Sequence, residues 1–192
     1  MGEVLMYHAQ KGAKAPEIVV YPRDERVQAA LREALERDWP FVVHIEFNAA
    51  GDQRDVFMAQ LKEMLTQYPD HPFVMIHMGQ LDHFAVRNLI NSYDNIYFIT
   101  SRSNPVKVSQ SRQPWVNMFD GKRLSADWRQ LMVDHPDRFI LGFDNVWPEH
   151  WGQYYLAQVK LWRKAMKKLP LDVAHAFAHG NAERLWRLAP VQ

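Results

Sequence analysis

Arg138-Phe-Ile-Leu-Gly-Phe-Asp-Asn-Val-Trp-Pro148 is the stretch that decides the fold. Phe139, Ile140 and Leu141 form a short apolar run without alternation, the pattern of a strand buried on both faces. Gly142 lets the backbone come close to a neighbour. Asp144 stands where the strand should stop. A carboxylate at the end of a buried strand costs free energy unless something there uses its charge. Two other apolar runs close in the same way, residues 41–47 (FVVHIEF) around His44 and residues 73–77 (FVMIH) on His77.

Working outward, residues 3–8 (EVLMYH) and 95–100 (NIYFIT) also read as strands. Residues 17–21 (EIVVY) are β-rich but bracketed by Pro16 and Pro22, so they read as a brief strand or an extended connection. Between the strands, apolar residues recur at helical spacing. Helices are expected from Asp24, as N-cap, to before Pro40, and over 56–68, 84–92, 125–133 (capped by Ser125) and 149–169. Two more, 171–177 and 182–188, are expected on either side of His179-Gly180. The connection from Ser101 to about Gly121 reads as a long polar loop. Alternating strand and helix, with continuous apolar strands, defines an α/β fold whose parallel sheet is covered by helices. Strand starts at 41, 73, 95 and 139 are spaced by 32, 22 and 44 residues. A barrel of eight βα units averages roughly 31. An open doubly wound sheet fits the spacing too, but the chain has neither GxGxxG nor GxxxxGK[ST], which weakens a nucleotide-binding reading of it.

The 192 residues read as one domain, 1–192, with 47% hydrophobic and 23% charged residues. Lys and Arg number 23 against 22 Asp and Glu, so there is no electrostatic case for nucleic acid or a membrane surface. No apolar run reaches the roughly 18 residues of a spanning helix. The N-terminus does not read as a signal peptide, and a cytoplasmic location is the expectation. The chain has no cysteine, so any metal must be held by His and carboxylate.

In parallel α/β folds function gathers at the C-terminal ends of strands. The residues there are His44, Glu46, His77, Gly79, Ser101, Arg102, Asp144 and Trp147. Each has an ordinary structural reading. A lone strand-end His is more often simply hydrogen-bonded, Asp144 could cap the next helix, Glu46 could be solvated at the rim, and Arg102 could be a loop charge. The recurrence of His44, His77 and Asp144 at the same place in successive units is what a divalent metal needs. Imidazole and carboxylate suit zinc, manganese or iron.

At these residues the chain resembles the amidohydrolase superfamily of metal-dependent (β/α)8 barrels, in its amidohydrolase-related branch. Val42-Val-His-Ile-Glu46 resembles the family's fifth strand, Val74-Met-Ile-His-Met-Gly79 its sixth, and the Arg138–Asp144 stretch with Pro148 its eighth. His179-Gly-Asn-Ala-Glu-Arg-Leu185, followed by Trp186, resembles its last helix. The resemblance implies a TIM-type barrel of which this chain holds strands four to eight, the C-terminal part. It implies a divalent metal, zinc or else manganese, on His44 and Asp144. Asp144 is then the general base and His77 acts on the substrate. Arg102, Glu46 and Trp147 are expected to contact substrate. The implied activity is hydrolysis of a small carboxylated, lactone or ester substrate, with decarboxylation on the same barrel as the alternative. The family's His-x-His strand has no counterpart in this chain. A missing N-terminal segment, a homo-oligomer, or an inactive barrel fragment serving as a binding or assembly module would each account for that. Five strands alone leave two open sheet edges, sites of pairing or aggregation. Two ligands alone hold zinc poorly, so little activity is expected of an isolated piece.

Overall fold

All five expected strands form in the computed structural model, which describes residues 2–189. The chain divides between Phe98 and Ile99 into two units.

In the first unit the strands are β1 (Val4–His8), β2 (Ile18–Val19), β3 (Phe41–Ile45), β4 (Phe73–Met75) and β5, which starts at Ile96 and runs on to Ile99. Their order is β2-β1-β3-β4-β5. β1, β3, β4 and β5 are parallel, with Leu5 opposite His44, Val43 opposite Met75, and Met75 opposite Phe98. Every residue of β3 is buried, as its unbroken apolar run requires. Three helices cover the sheet: α1 (Glu25–Glu36), α2 (Arg54–Gln67) and α3 (His83–Ser92). They bury Val27, Leu31 and Ala34, then Phe57, Leu61, Met64 and Leu65, then Val86, Leu89 and Ile90. Asp24 and Asp82 cap α1 and α3, accepting from Arg26 N–H and Ala85 N–H, each at 2.9 Å. Asn95 fastens the end of α2 to the start of β5, donating to Leu65 O at 3.0 Å and Tyr68 O at 2.8 Å.

Of the two readings of residues 17–21 the brief strand holds, at 18–19, and it pairs antiparallel with β1, His8 opposite Ile18, so this edge of the sheet is covered in part. One expectation changes in this unit. β4 stops at Met75, not His77. The next residues make a tight left-handed turn with positive φ at His77 (53°), Met78 (56°), Gly79 (60°) and Gln80 (57°).

The second unit begins with the last residue of β5. It contains α4 (Pro105–Val108), a hairpin of β6 (Phe119–Asp120) and β7 (Arg123–Leu124), and α5 (Ala126–Asp134). β8 (Phe139–Ile140), α6 (Gln153–Met166), α7 (Leu171–His175) and α8 (Asn181–Trp186) follow. The 101–121 connection is therefore not structureless. Asn104 caps α4, and Gly121-Lys122 turn a two-residue hairpin, with Gly121 at φ 58°. β8 is shorter than the apolar run suggests. Thr100 N–H donates to Ile140 O at 3.0 Å, but Leu141 N–H turns away to Phe177 O, also at 3.0 Å. The break expected at His179-Gly180 is instead a π-helical turn, Ala176–Gly180, continuous with the helices on both sides. Its wider winding leaves Phe177 O free for Leu141. α6 starts at Gln153 because Pro148–His150 forms a separate 3-10 turn, and it ends at Met166 rather than Leu169. Ser125 stands at the N-cap of α5, without a side-chain bond to it. Trp162 centres this unit's core, its ring 4.8 Å from Phe119 and 5.3 Å from Phe177.

The 138–148 stretch behaves as its residues suggest. A Cβ on Gly142 would overlap the Cγ2 of Ile99. Asn181 donates to Pro136 O and Phe139 O, both at 2.8 Å, tying the final helix to the start of β8.

Candidate functional site

Within the first unit the C-terminal ends of β1, β3 and β4 bring three imidazoles into one row. His44 lies 5.3 Å from His8 and 5.0 Å from His77, ring centre to ring centre. β3 places His44 and Glu46 two residues apart, so both face the same side. His44 is buried and a carboxylate meets each of its ring nitrogens. Nδ1 bonds Glu3, and Nε2 bonds Glu46 at 3.0 Å. Glu46 also accepts from Lys11 Nζ at 2.5 Å and from Ala9 N–H at 3.1 Å. Lys11 Nζ reaches His8 Nε2 at 2.8 Å.

The electrostatics follow from this packing. Burial works against a charged His44, but the bonds to Glu3 and Glu46 outweigh it and raise the pKa. Burial likewise opposes a charged Glu46. The bonds from His44 and Lys11 win, holding its carboxyl at about 2 against an ordinary 4.5. Burial first, then the Lys11 ammonium, push His8 down. The shift favours the neutral ring, whose single acceptor nitrogen can take the hydrogen bond from Lys11 Nζ.

His77 reaches this row through the left-handed turn. Such a conformation costs a non-glycine residue about 1–2 kcal/mol, and in this turn three of four residues are not glycine. Gly79 O accepts from Phe47 N–H at 3.1 Å, Leu81 N–H bonds Met78 O at 3.0 Å, and Ala49 N–H bonds the Gln80 side chain at 3.0 Å. A buried turn held against its own preference is a feature of functional sites.

Two donor sets result. Glu3, His44 and His77 offer ligand atoms within 4.8 Å of one another, and so do His8, His44 and Glu46. Two imidazoles and a carboxylate form a suitable set for a divalent metal. The second set already holds a cation, the Lys11 ammonium, on Glu46 and His8.

In the second unit Arg102 Nε pairs with the Asp144 carboxylate. Its guanidinium also lies 5.3 Å from the centre of the Trp115 ring. Lys107 is buried, donates to Asp144 O at 2.9 Å and sits 4.8 Å over Tyr154. Burial, then the Arg102 charge, lower its pKa to about 8, although Asp144 opposes the shift. Trp147 is exposed and stands at the N-cap of the Pro148–His150 turn.

The expected residues therefore fall into two constellations, His44–Glu46–His77 in the first unit and Arg102–Asp144 in the second. Glu46 is not solvated at a rim; its oxygens belong to Lys11, His44 and Ala9. Sequence reasoning passed over Glu3, His8, Lys11 and Lys107. His8 carried a signal, since it closes an apolar run of the sequence as His77 closes another. Lys107 carried none, because a lysine in a polar stretch gives no sign of burial.

The family model described as amidohydrolase matches residues 14–188, and the chain belongs to that family. The match runs through both units. No curated protein matches this chain. Among solved structures, the apo crystal structure of Agrobacterium tumefaciens ATU3138 is similar at 19% identity and a TM-score of 0.48. That similarity covers 93% of this chain and 72% of that one. Among the described residues no helix is long and apolar enough to cross a membrane.

Proposed function

We propose that this chain carries the chemistry of a metal-dependent hydrolase acting on a small carboxylated, lactone or ester substrate. The observation that supports this most is His44, buried and clasped by a carboxylate on each ring nitrogen, with His8 and His77 alongside. A metal ligand histidine characteristically gives its other nitrogen to a carboxylate, which fixes the ring and raises its basicity. His44 has such a partner whichever nitrogen is the ligand. With Nδ1 as ligand, Glu3 and His77 complete the set and Glu46 orients the ring. That is the reading we favour, because Lys11 fills the other set. A divalent ion there, zinc or manganese, would lower the pKa of water and polarise a carbonyl.

The remaining steps belong to the chain's own side chains. His77, its backbone fixed by the left-handed turn, ligates through one ring nitrogen and donates a hydrogen bond from the N–H of the other to the substrate oxygen. In the second unit Arg102 binds a substrate carboxylate and Asp144 takes up a proton. The Arg102–Asp144 pair gives these two roles an order. A substrate carboxylate that takes over the Arg102 guanidinium frees Asp144 to accept. The resemblance also makes Asp144 a metal ligand. The parallel order β1-β3-β4-β5 suits strands four to seven of a (β/α)8 barrel.

The test is turnover of lactone, ester and aromatic carboxylic acid panels with added zinc or manganese. Released acid without carbon dioxide supports hydrolysis, and carbon dioxide moves the assignment to decarboxylation. Wild-type turnover in Asp144→Asn and His77→Asn would overturn the roles of Asp144 as proton acceptor and His77 as donor.

A further inference from the structure

The second unit has a concavity that the chemistry above does not use. Its volume is about 450 Å³, and five of its seven lining residues are cations: Lys122 and Arg123 from the hairpin, Arg129 from α5, Lys164 in the last turn of α6, and Lys168 just beyond that helix. Leu124 and Ala165 complete the wall. A second concavity of about 600 Å³ shares Lys122 and Lys164 with the first and adds Lys160. Its other walls are mainly apolar, including Val106 and Leu161.

No carboxylate lines either space. The chain as a whole is balanced, 23 bases against 22 acids, so five exposed cationic residues with no acid around one concavity are a local departure. Among the described residues none of the five is held in an ion pair, whereas Arg23, Arg26 and Arg37 each have a carboxylate partner. Lys160 and Lys164 stack at i,i+4 on α6, an arrangement that destabilises a helix by like-charge repulsion. The negative end of the helix dipole favours Lys164 in the last turn. That does not explain Lys122, Arg123 or Arg129, which come from other elements.

We infer that this concavity binds an organic di- or triphosphate, with its phosphoryl groups among Lys122, Arg123, Arg129, Lys164 and Lys168 and its apolar body against Val106 and Leu161. The volume is that of a small-molecule site. Lysine ammoniums act as point charges and suit the spread oxygens of a phosphate chain, Arg123 adds paired donors, and Arg129, whose Nε already donates to Lys168 O at 3.1 Å, adds its terminal N–H groups. A single carboxylate would leave most of these cations unmatched. The site stands apart from the Arg102–Asp144 pair in its residues and does not depend on the hydrolase reading.

Calorimetric titration of the full chain with tripolyphosphate and with adenosine triphosphate, free of divalent metal, tests this. Both are expected to saturate below about 1 mM at low salt and to weaken as salt rises. Lys164→Ala/Lys168→Ala is expected to cost both ligands about tenfold or more. Val106→Ser is expected to weaken the nucleotide and leave tripolyphosphate unchanged. Lys62→Ala, a charge on α2 in the first unit, is expected to change neither. Absence of saturable binding would overturn the inference, and so would equal losses in the double variant and Lys62→Ala. Tripolyphosphate binding without any preference for the nucleotide would overturn the assignment of an apolar body.

Discussion

Replacing Glu46 by Gln keeps the side chain's shape and removes its charge. In the metal-free protein that charge holds Lys11 at 2.5 Å and His44 at 3.0 Å. A carboxyl held at about 2 instead of 4.5 corresponds to about 3 kcal/mol of folding free energy at neutral pH. The Lys11 side chain is 24% exposed, and solvent screening brings the expected loss to about 2–3 kcal/mol. The sign follows from the direction of each shift. Glu46 is lowered, so its contribution is complete above about 4.5 and disappears as the pH falls through about 2. His44 is raised, so its contribution is complete below 6.5 and fades as the pH rises through its folded value. The gap between wild type and Glu46→Gln should therefore be widest between pH 4.5 and 6.5 and close in acid. Urea unfolding followed by tryptophan fluorescence, with chelator present, measures it. A gap below about 1 kcal/mol in that window, or one that widens in acid, would refute the buried ion-pair reasoning, since surface pairs contribute up to about 1 kcal/mol.

Three further outcomes are expected. Gly142→Ala should cost about 1–3 kcal/mol by overpacking against Ile99, and Ile99→Ala in the same chain should recover part of it; thermal melts of the single and double variants check this. Asn181→Ala removes two bonds to carbonyls of the β8 region and should cost about 2–3 kcal/mol in urea unfolding. Lys107 has a folded pKa of about 8 against 10.5, so the unfolded chain binds more protons between those values and stability should rise with pH there. Lys107→Met should flatten that rise in melts taken from pH 8 upward.

The parts of the fold carried by local pattern were legible in the sequence. The runs at 41–47, 73–77 and 139–141 each produced a strand, and Asp24 caps its helix as its position predicts. The details that tertiary bonds decide were not. Leu141 leaves β8 because Phe177 O, freed by a π turn, is a competing acceptor. His77 leaves β4 because a left-handed turn is held by Phe47 and Ala49, residues that no local pattern connects to it. Gly121-Lys122 is a hairpin signal, glycine first in a two-residue turn, hidden within a stretch whose composition otherwise reads as loop. At the site, His44 and His77 could be found because each interrupts an apolar run. Glu3 and Lys11 join them only through β1 lying beside β3, a pairing that sequence spacing does not specify.

The most direct measurement is metal content. Chain purified with zinc or manganese and then dialysed should retain about one equivalent per chain by elemental analysis. His44→Ala should lose it, and His77→Asn should weaken retention, while circular dichroism shows both variants folded. Undiminished metal in a folded His44→Ala chain would contradict the assignment of His44 as the centre of the site.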